Sequence, residues 1–344
     1  MKWLLTAKQP VGSLLQFSGW LGFDVSCHDP SVCTINVHHF DLTRPPFKPI
    51  ARQTALEAAA DILSAFAVVA NLPDKLSTTF DAIVGCQGAL AQGPIVVAGR
   101  HLSRDIDDGV GAGRGNAYHN VQHFCEVMLG AYFLSMLDNL DSGSRLEVAL
   151  VAMIHDFHHD GVGNGPTPFR LERLSVSESM RYLVATGMPE EQRRDIAALV
   201  LATEVLHGVP TVRACHGYHR GTGALPAIHP LAPELGQLAA DPLLTRKALI
   251  VCEADVLPSV GLTIDHALQL QADLSVEWSR PLGLDDKYRF VTKAFPGFIV
   301  GTFFQPNVDA LRQFLLERIN VGPTDQSDSA WTTDTGSADN GTKD

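Results

Sequence analysis

One apolar run, residues 146–154, constrains the fold of this chain more than any other segment. It is apolar except for Glu147, and it leads directly into His155 and Asp156. A run of this composition is typical of a helix that is buried on most sides. Polar groups that such a helix carries into the interior are costly unless they find partners. The run therefore predicts a buried helix that delivers His155 and Asp156 to a site with partners; a helix that simply ends at a polar turn is the alternative.

The rest of the chain predicts a compact all-α domain over residues 49–321. Residues 51–72 are rich in Ala and Leu at helical spacing, and Pro73 follows them. No second strand-rich region follows the N-terminal segment, which favours an all-α domain. Further stretches with helical spacing are 117–138, 144–156, 175–187, 189–206, 242–257, 262–277, 285–295 and 306–319.

Three segments depart from this helical pattern. Residues 1–48 form an N-terminal extension in which the alternation over 33–40 predicts a short strand or hairpin. This extension would cap the domain or form the contact of a homodimer. Residues 208–233 carry many Gly, Pro and His residues and predict a long loop. Residues 322–344 lack the apolar content to fold, so we expect a disordered tail.

The composition excludes some classes of function. The formal net charge of −12 argues against a general nucleic-acid or anionic-membrane surface, because either usually needs a basic face. An anionic substrate stays open, since buried metal ions reverse the local potential. The six cysteines include no CxxC pair, and we find no apolar stretch long enough to span a membrane. We therefore expect a cytoplasmic protein with reduced thiols and no membrane partner.

Two further segments bring histidines and an acid to apolar helices. His119 and His123 are four residues apart and so share one face of a predicted helix. Residues 249–257 are again apolar and carry Asp255 near their end. Taken alone, the histidine pair also fits a polar helix surface, and Asp255 also fits a capping or salt-bridged residue. Together with the His-Asp pair at 155–156, they supply imidazole and carboxylate ligands for divalent metal ions.

The order of these motifs resembles the catalytic domain of class I cyclic nucleotide phosphodiesterases. The resemblance covers roughly residues 80–305 and implies a compact all-α domain of that type. More distantly, the His-Asp pair is similar to that of the HD-type phosphohydrolases. The matching segments are H-N-x-x-H at 119–123, H-D-x-x-H-x-G-x-x-N at 155–164, S-V-x-E at 175–178, A-T-E in place of A-T-D at 202–204, A-D at 254–255 and G-F-I at 297–299.

This resemblance implies hydrolysis of a 3′,5′-cyclic nucleotide, cAMP or cGMP or both, to the 5′-monophosphate. His119 would be the general acid that protonates the leaving ribose oxygen. The tighter of two divalent ions, usually zinc, would be held by His123, His155, Asp156 and Asp255. The second ion, usually magnesium or manganese, would share Asp156, and a hydroxide that bridges the two ions would attack phosphorus.

The resemblance also implies roles for residues around the ions and the substrate. His159 and Glu178 would orient metal-bound water. Phe298 would clamp a purine base, and Asn164 and Phe295 would lie beside the substrate.

Four positions depart from the family pattern. Phe295 replaces a glutamine that hydrogen-bonds the purine, and Pro258 replaces an asparagine near the base. His158 and Asp160 replace an Asp and a Pro beside the ions. The chemistry is therefore better specified than the substrate. Two alternatives stay open: an HD-type phosphohydrolase that acts on a different phosphoester, and a metal- or nucleotide-binding regulatory module without turnover.

Overall fold

The computed structural model describes residues 21–29, 32–40, 54–87 and 92–319. The first two ranges are strands β1 (Leu21–Asp29) and β2 (Val32–Phe40), which pair in antiparallel orientation. From residue 54 onward the regular structure within the described ranges is helical, which confirms the all-α class predicted for the main domain. The α-helices are α1 (Ala55–Ala70), α2 (Lys75–Gly85), α3 (Pro94–Asp107), α4 (Val121–Leu137), α5 (Ser142–Ile154), α6 (Arg170–Ala185), α7 (Glu190–Leu201), α8 (Gly208–His219), α9 (Gly236–Ala240), α10 (Pro242–Val260), α11 (Ile264–Glu277), α12 (Leu284–Arg289) and α13 (Gln305–Arg318).

Some expectations about the whole chain stay predictions. The division of the chain after residues 48 and 321 is one of them, and the predicted disordered tail at 322–344 lies outside the described residues. None of the helices in the described part of the chain is both long and apolar enough to cross a lipid bilayer.

The core is built around three helices, α4, α5 and α10, which pack on one another. In α4 and α5, the stretches 123–135 and 146–154 are buried at every position. A Cβ placed at Gly130 would lie 3.5 Å from the carbonyl oxygen of Ala254, so the backbones of α4 and α10 approach closely at this point. The prediction of a buried helix over 146–154 is therefore confirmed, and its burial brings its C-terminal end into the interior.

The start of α4 differs from the sequence prediction. The helix begins at Val121, and Asn120 is its N-cap. The Asn120 Oδ1 atom accepts hydrogen bonds from the backbone N–H groups of Gln122 (2.9 Å) and His123 (3.3 Å). Because His119 precedes this cap, it does not share a helical face with His123, and the expected one-face pair is wrong. The asparagine side chain binds the N–H groups of the first turn and so fixes the helix start at Val121, four residues after the predicted start at 117.

The predicted loop over 208–233 is wrong for its first half, where α8 lies. In the sequence Gly208 and Pro210 predict a break in helical structure, but both lie in the first turn of α8. Proline is tolerated there because its missing N–H would have no partner within the helix. A Cβ at Gly208 would meet the carbonyl oxygen of Leu201 at 2.5 Å, so the glycine allows α8 to start directly against α7. Helices α2 and α3 are present although the sequence analysis predicted no helix there.

We predict that replacing Asn120 with Ala destabilises the protein by about 1 kcal/mol, the usual cost of losing an N-cap. Thermal unfolding followed by circular dichroism measures the loss. The matched variant is Asn120→Asp, which keeps a side-chain acceptor for the N–H groups of Gln122 and His123 and should retain most of the stability. An equal loss in both variants would show that the cap is not the cause.

Candidate metal centre

The structure brings the predicted metal ligands His123, His155, Asp156 and Asp255 together. One ligand atom from each lies within 4.8 Å of all the others. The Asp156 Oδ2 atom lies 3.1 Å from His123 Nε2 and 3.0 Å from His155 Nε2. The Asp255 Oδ1 atom lies 3.4 Å and 3.6 Å from the same two nitrogens. The four side chains come from the first turn of α4, the end of α5 and the middle of α10, so the packing of these helices sets the geometry.

The charges in this cluster need a cation. The imidazoles of His123 and His155 are 3% and 1% exposed, whereas Asp156 and Asp255 keep 16% and 23% of their side-chain surface open. Burial by itself lowers the pKa of His123, but hydrogen bonds and charge from Asp156 and Asp255 outweigh it and raise the pKa to about 9. The same carboxylates hold the pKa of His155 well above its usual value. Two carboxylates in a largely desolvated site thus demand positive charge on their neighbours.

The orientation of His155 fits a metal ligand. Its Nδ1 atom donates a hydrogen bond to the carbonyl oxygen of Ala152 at 2.7 Å, since a carbonyl can only accept. The neutral ring therefore presents the lone pair of Nε2 to the oxygens of Asp156 and Asp255. Within the described residues, Nε2 is buried and has no hydrogen-bond partner of acceptable geometry. A lone pair that faces two carboxylates is unfavourable unless a proton or a metal cation lies between them, so the four residues fit a divalent ion.

A second cluster, His119, His159 and Glu277, lies beside the first. The His119 Nδ1 atom lies 2.5 Å from Glu277 Oε1. Glu277 Oε2 also accepts the backbone N–H groups of Tyr118 (2.8 Å) and His119 (2.9 Å). The ring centroids of His119 and His123 are 5.5 Å apart. His119, the predicted acid, is therefore held by a carboxylate at Nδ1 and lies next to a predicted metal ligand.

Sequence reasoning missed Glu277. It is the last residue of α11, no other His or acidic residue stands near it in the sequence except Asp273, and its side chain is only 2% exposed. Only the tertiary fold, which joins positions 119 and 277, reveals the contact.

His159 lies next to His119. The two imidazoles stack with their centroids 3.7 Å apart. Burial lowers the pKa of His159 to about 4, so the ring is neutral near pH 7. Its Nδ1 atom accepts the backbone N–H of Gly161 at 3.1 Å, which fixes the orientation of the ring. A role of His159 in orienting metal-bound water stays a prediction.

The structure places Glu178 away from the metal cluster. Its side chain is 39% exposed, and its recorded ionic contact is with His158 Nε2 at 3.9 Å. Glu172, in the first turn of the same helix α6, is the more buried acid. Burial, followed by the charges of Glu204 and Asp156, raises the pKa of Glu172 to about 7. The predicted role of Glu178 in orienting water stays a prediction, and Glu172 is the α6 acid within electrostatic reach of Asp156.

Asn164 contacts Glu172 in this structure. Its Nδ2 atom donates to both carboxylate oxygens of Glu172, at 3.0 Å and 3.3 Å, and its Oδ1 atom accepts the backbone N–H of Leu171 at 2.8 Å. Through these hydrogen bonds the amide of Asn164 holds the loop before α6 against the first turn of that helix. A direct contact of Asn164 with substrate stays a prediction.

A cavity lies beside Asp255, and Phe295 lines it. The cavity encloses about 40 Å³ and opens to solvent. Its apolar wall includes Phe290, Phe295, Val256 and Leu249. Phe298 is not among the lining residues: its ring packs edge-on against Phe295, with centroids 4.9 Å apart, and fills the space above Gly261. The predicted clamp on a base by Phe298 stays a prediction, and Phe295 is the aromatic ring that faces the cavity.

Two charged side chains fix the segment that carries these aromatic residues. The Glu253 carboxylate, two residues before Asp255 on α10, accepts the backbone N–H groups of residues 299–301 at 2.5–3.2 Å. Arg213 of α8 donates to the carbonyl oxygen of Gly297 at 2.8 Å. The segment that borders the cavity is thus anchored to the helix that bears a metal ligand.

Comparisons with known proteins give similarity only at the level of structure. No family model matches the chain, and no curated protein matches it. The phosphodiesterase domain of the Salpingoeca rosetta rhodopsin phosphodiesterase is similar at 14% identity and a TM-score of 0.49, covering 69% of this chain and 87% of that one. A second structure of the phosphodiesterase domain of the RhoPDE fusion protein from this choanoflagellate gives 14% identity and a TM-score of 0.47, covering 80% and 92%. At this identity the similarity is one of backbone fold alone.

We predict that zinc binding to the cluster releases protons and strengthens as the pH rises. Because the pKa of His123 is about 9 and that of His155 is well above its usual value, both rings are protonated near neutral pH. A metal ion must displace these protons, so its affinity should increase from pH 6 towards pH 9. Calorimetric titration in buffers of different ionisation enthalpy measures the protons released, on the order of one or two per ion.

Two variants complete this test. Asp255→Ala should abolish tight zinc binding. Asp160→Asn is the matched control, because Asp160 pairs with Arg170 at 2.6 Å outside the cluster and should bind zinc as the wild type does. Zinc affinity that is independent of pH would contradict the assignment of the two histidines as ligands.

Proposed function

We propose that this chain is a metal-dependent phosphodiesterase that opens a 3′,5′-cyclic nucleotide to the 5′-monophosphate. The observation that carries the proposal is the position of His119, whose carboxylate-held ring lies 5.5 Å from the ring of His123 in the predicted metal cluster. Hydrolysis of a phosphodiester needs positive charge at the phosphoryl oxygens and a proton for the leaving alkoxide. The metal cluster would supply the positive charge, and the neighbouring cluster that contains His119 would supply the proton.

The metal cluster is proposed to hold two divalent ions, zinc together with magnesium or manganese. His123, His155, Asp156 and Asp255 would hold the first, and Asp156 is the acid placed to be shared with the second. When bound, such ions polarise phosphoryl oxygens and lower the pKa of a water molecule to near neutrality.

His119 is proposed as the general acid. Glu277 accepts the hydrogen bond from His119 Nδ1, so Nε2 is the nitrogen left to give its proton to the leaving oxygen. The carboxylate fixes the orientation of the ring for the transfer. Hydrogen bonds from His119 and the two backbone N–H groups keep the pKa of Glu277 below its usual value despite its burial, so the glutamate stays ionised.

A cyclic nucleotide fits the surroundings of the two clusters. The cavity beside Asp255 has an apolar wall, and Phe295 gives it an aromatic face on which a base can stack. This cavity and the motif order that resembles class I cyclic nucleotide phosphodiesterases support the same substrate class. A regulatory module without turnover is disfavoured, because simple binding gives no reason to hold an imidazole by a buried carboxylate next to a metal cluster.

One observation favours a second candidate, hydrolysis of a different phosphoester at the same centre. Phe295 stands where the family has a base-binding glutamine, and no Asn or Gln side chain is among the residues that line the cavity. The substrate test therefore uses protein loaded with zinc plus magnesium or manganese, with cAMP, cGMP and bis(p-nitrophenyl) phosphate. Formation of a 5′-monophosphate, identified by chromatography, supports the proposal. Turnover of only the generic diester would refute it in favour of the second candidate.

We predict that His119→Asn lowers kcat for a cyclic nucleotide by roughly 10²- to 10⁴-fold while both metals stay bound. The same variant should lose far less activity on bis(p-nitrophenyl) phosphate, because nitrophenolate leaves without needing a proton. Metal content by elemental analysis and kcat for both substrates are the measurements. Equal losses on the two substrates would argue that His119 does not act as the acid.

We predict that Glu277→Gln acts through His119. It should lower kcat for the cyclic nucleotide by about tenfold or more, leaving metal content unchanged, because the imidazole loses its charged partner. The double variant with His119→Asn should be no slower than His119→Asn alone, since residues that act as a unit are not additive. Additive losses would show that Glu277 acts independently of the acid.

A further inference from the structure

The cavity beside Asp255 contains polar side chains whose hydrogen-bonding capacity is mostly spent. The Thr203 hydroxyl donates to the carbonyl oxygen of Val200 at 2.8 Å, and the Cys252 thiol donates to that of Ala202 at 3.2 Å. Both oxygens of Glu253 accept backbone N–H groups from the segment after Gly297. Asp255 belongs to the metal cluster. None of these groups is left to donate a hydrogen bond to a substrate.

Arg213 is the exception among the residues that line this cavity. A guanidinium has five N–H donors and no acceptor, and one donor of Arg213 binds the carbonyl oxygen of Gly297. In the described part of the chain Arg213 makes no ion pair within 4 Å, and the nearby carboxylate of Glu253 is already occupied by backbone N–H groups. The cavity is therefore lined by the aromatic ring of Phe295 and by the guanidinium of Arg213. Within the described residues that guanidinium uses one of its N–H donors, in the hydrogen bond to Gly297.

We propose that Arg213 reads the acceptor edge of the substrate base and that this cavity selects guanine over adenine. The inference rests on the proposed function, since it concerns the base of the same cyclic nucleotide. A guanidinium pairs well with guanine, which presents O6 and N7 as two adjacent acceptors. Adenine presents an amino group in place of O6, so its donor would face the donors of Arg213 and both would lose hydrogen bonds.

This assignment follows from the side chains that line the cavity, which include Arg213 and Phe295 and no amide. An amide can rotate to offer either its oxygen or its nitrogen, so it can accept from adenine or donate to guanine. Arginine can only donate. A cavity with a ring and a guanidinium therefore has a stacking face but cannot serve both purines.

The kinetic test compares kcat/KM for cGMP and cAMP in the wild type and in Arg213→Met, which keeps the length of the side chain and removes its donors. We expect the wild type to prefer cGMP by roughly tenfold to a hundredfold. In Arg213→Met this ratio should collapse because the value for cGMP falls. Arg220→Met is the matched control, since Arg220 caps the C-terminal end of the same helix but does not line this cavity, and it should keep the wild-type ratio.

Two results would overturn the proposal. The first is a wild type that hydrolyses both nucleotides without preferring cGMP. The second is an Arg213→Met variant that loses both activities equally, which would mean that Arg213 acts only by holding Gly297.

A binding measurement separates this inference from the proposed function. Calorimetry of metal-loaded protein with IMP and AMP compares a base that has O6 and an N1–H group with one that has an amino group and an unprotonated N1. Tighter binding of IMP that depends on Arg213 supports the inference even if no cyclic nucleotide is hydrolysed, in which case the proposed function alone fails. Equal binding of IMP and AMP overturns the inference whether or not cyclic nucleotides are hydrolysed.

Discussion

The contact of two partly open carboxylates with two buried imidazoles is the interaction on which the rest of this structure depends. Asp156 and Asp255 cannot stay ionised in this environment without positive charge beside them, and the shifted pKa values of His123 and His155 are the measure of that demand. A divalent ion satisfies it better than protons do, because it binds all four groups at once. The need for a cation is therefore built into the packing of three core helices.

The same packing decides what surrounds the cation. Helix α10 carries Asp255 towards the cluster, and two residues earlier it carries Glu253 towards the backbone of residues 299–301. A change in the position of this helix would therefore move a metal ligand and the border of the cavity together. The proposed acid is held separately, because Glu277 at the end of α11 contacts His119. Asp255 and the border of the cavity thus depend on one helix, and the orientation of His119 depends on another.

The metal ligands could be predicted from the sequence because each stands in a recognisable local setting. His155 and Asp156 end an apolar run, and Asp255 lies within another, so burial and polarity conflict visibly in the sequence. Glu277 could not be found in this way, since nothing near it in the chain distinguishes it from a solvated acid at the end of a helix. Contacts over such a separation are a property of the tertiary fold.

The helical class was likewise readable from periodicity, whereas α8 was not. Its first turn contains a glycine and a proline, which normally signal a loop, and here the glycine is required by contact with α7. The cap at Asn120 shows the same limit at a smaller scale. The helical spacing of the sequence continues through Asn120. Only the hydrogen bonds that the Asn120 side chain accepts show where the helix begins.

The Asn120 cap limits the insertions and deletions that the site can tolerate. His119 lies in the loop before α4 and His123 in the helix, and Asn120 is the junction between them. The spacing of the proposed acid His119 and the proposed metal ligand His123 is therefore set by a few backbone bonds across a change of conformation. An inserted or deleted residue here would shift one of the two histidines out of place, because a helix end cannot absorb a change of length as a surface loop does. Substitutions around the cavity do not change the spacing of His119 and His123. The residues proposed to contact a base can therefore change while that spacing is kept.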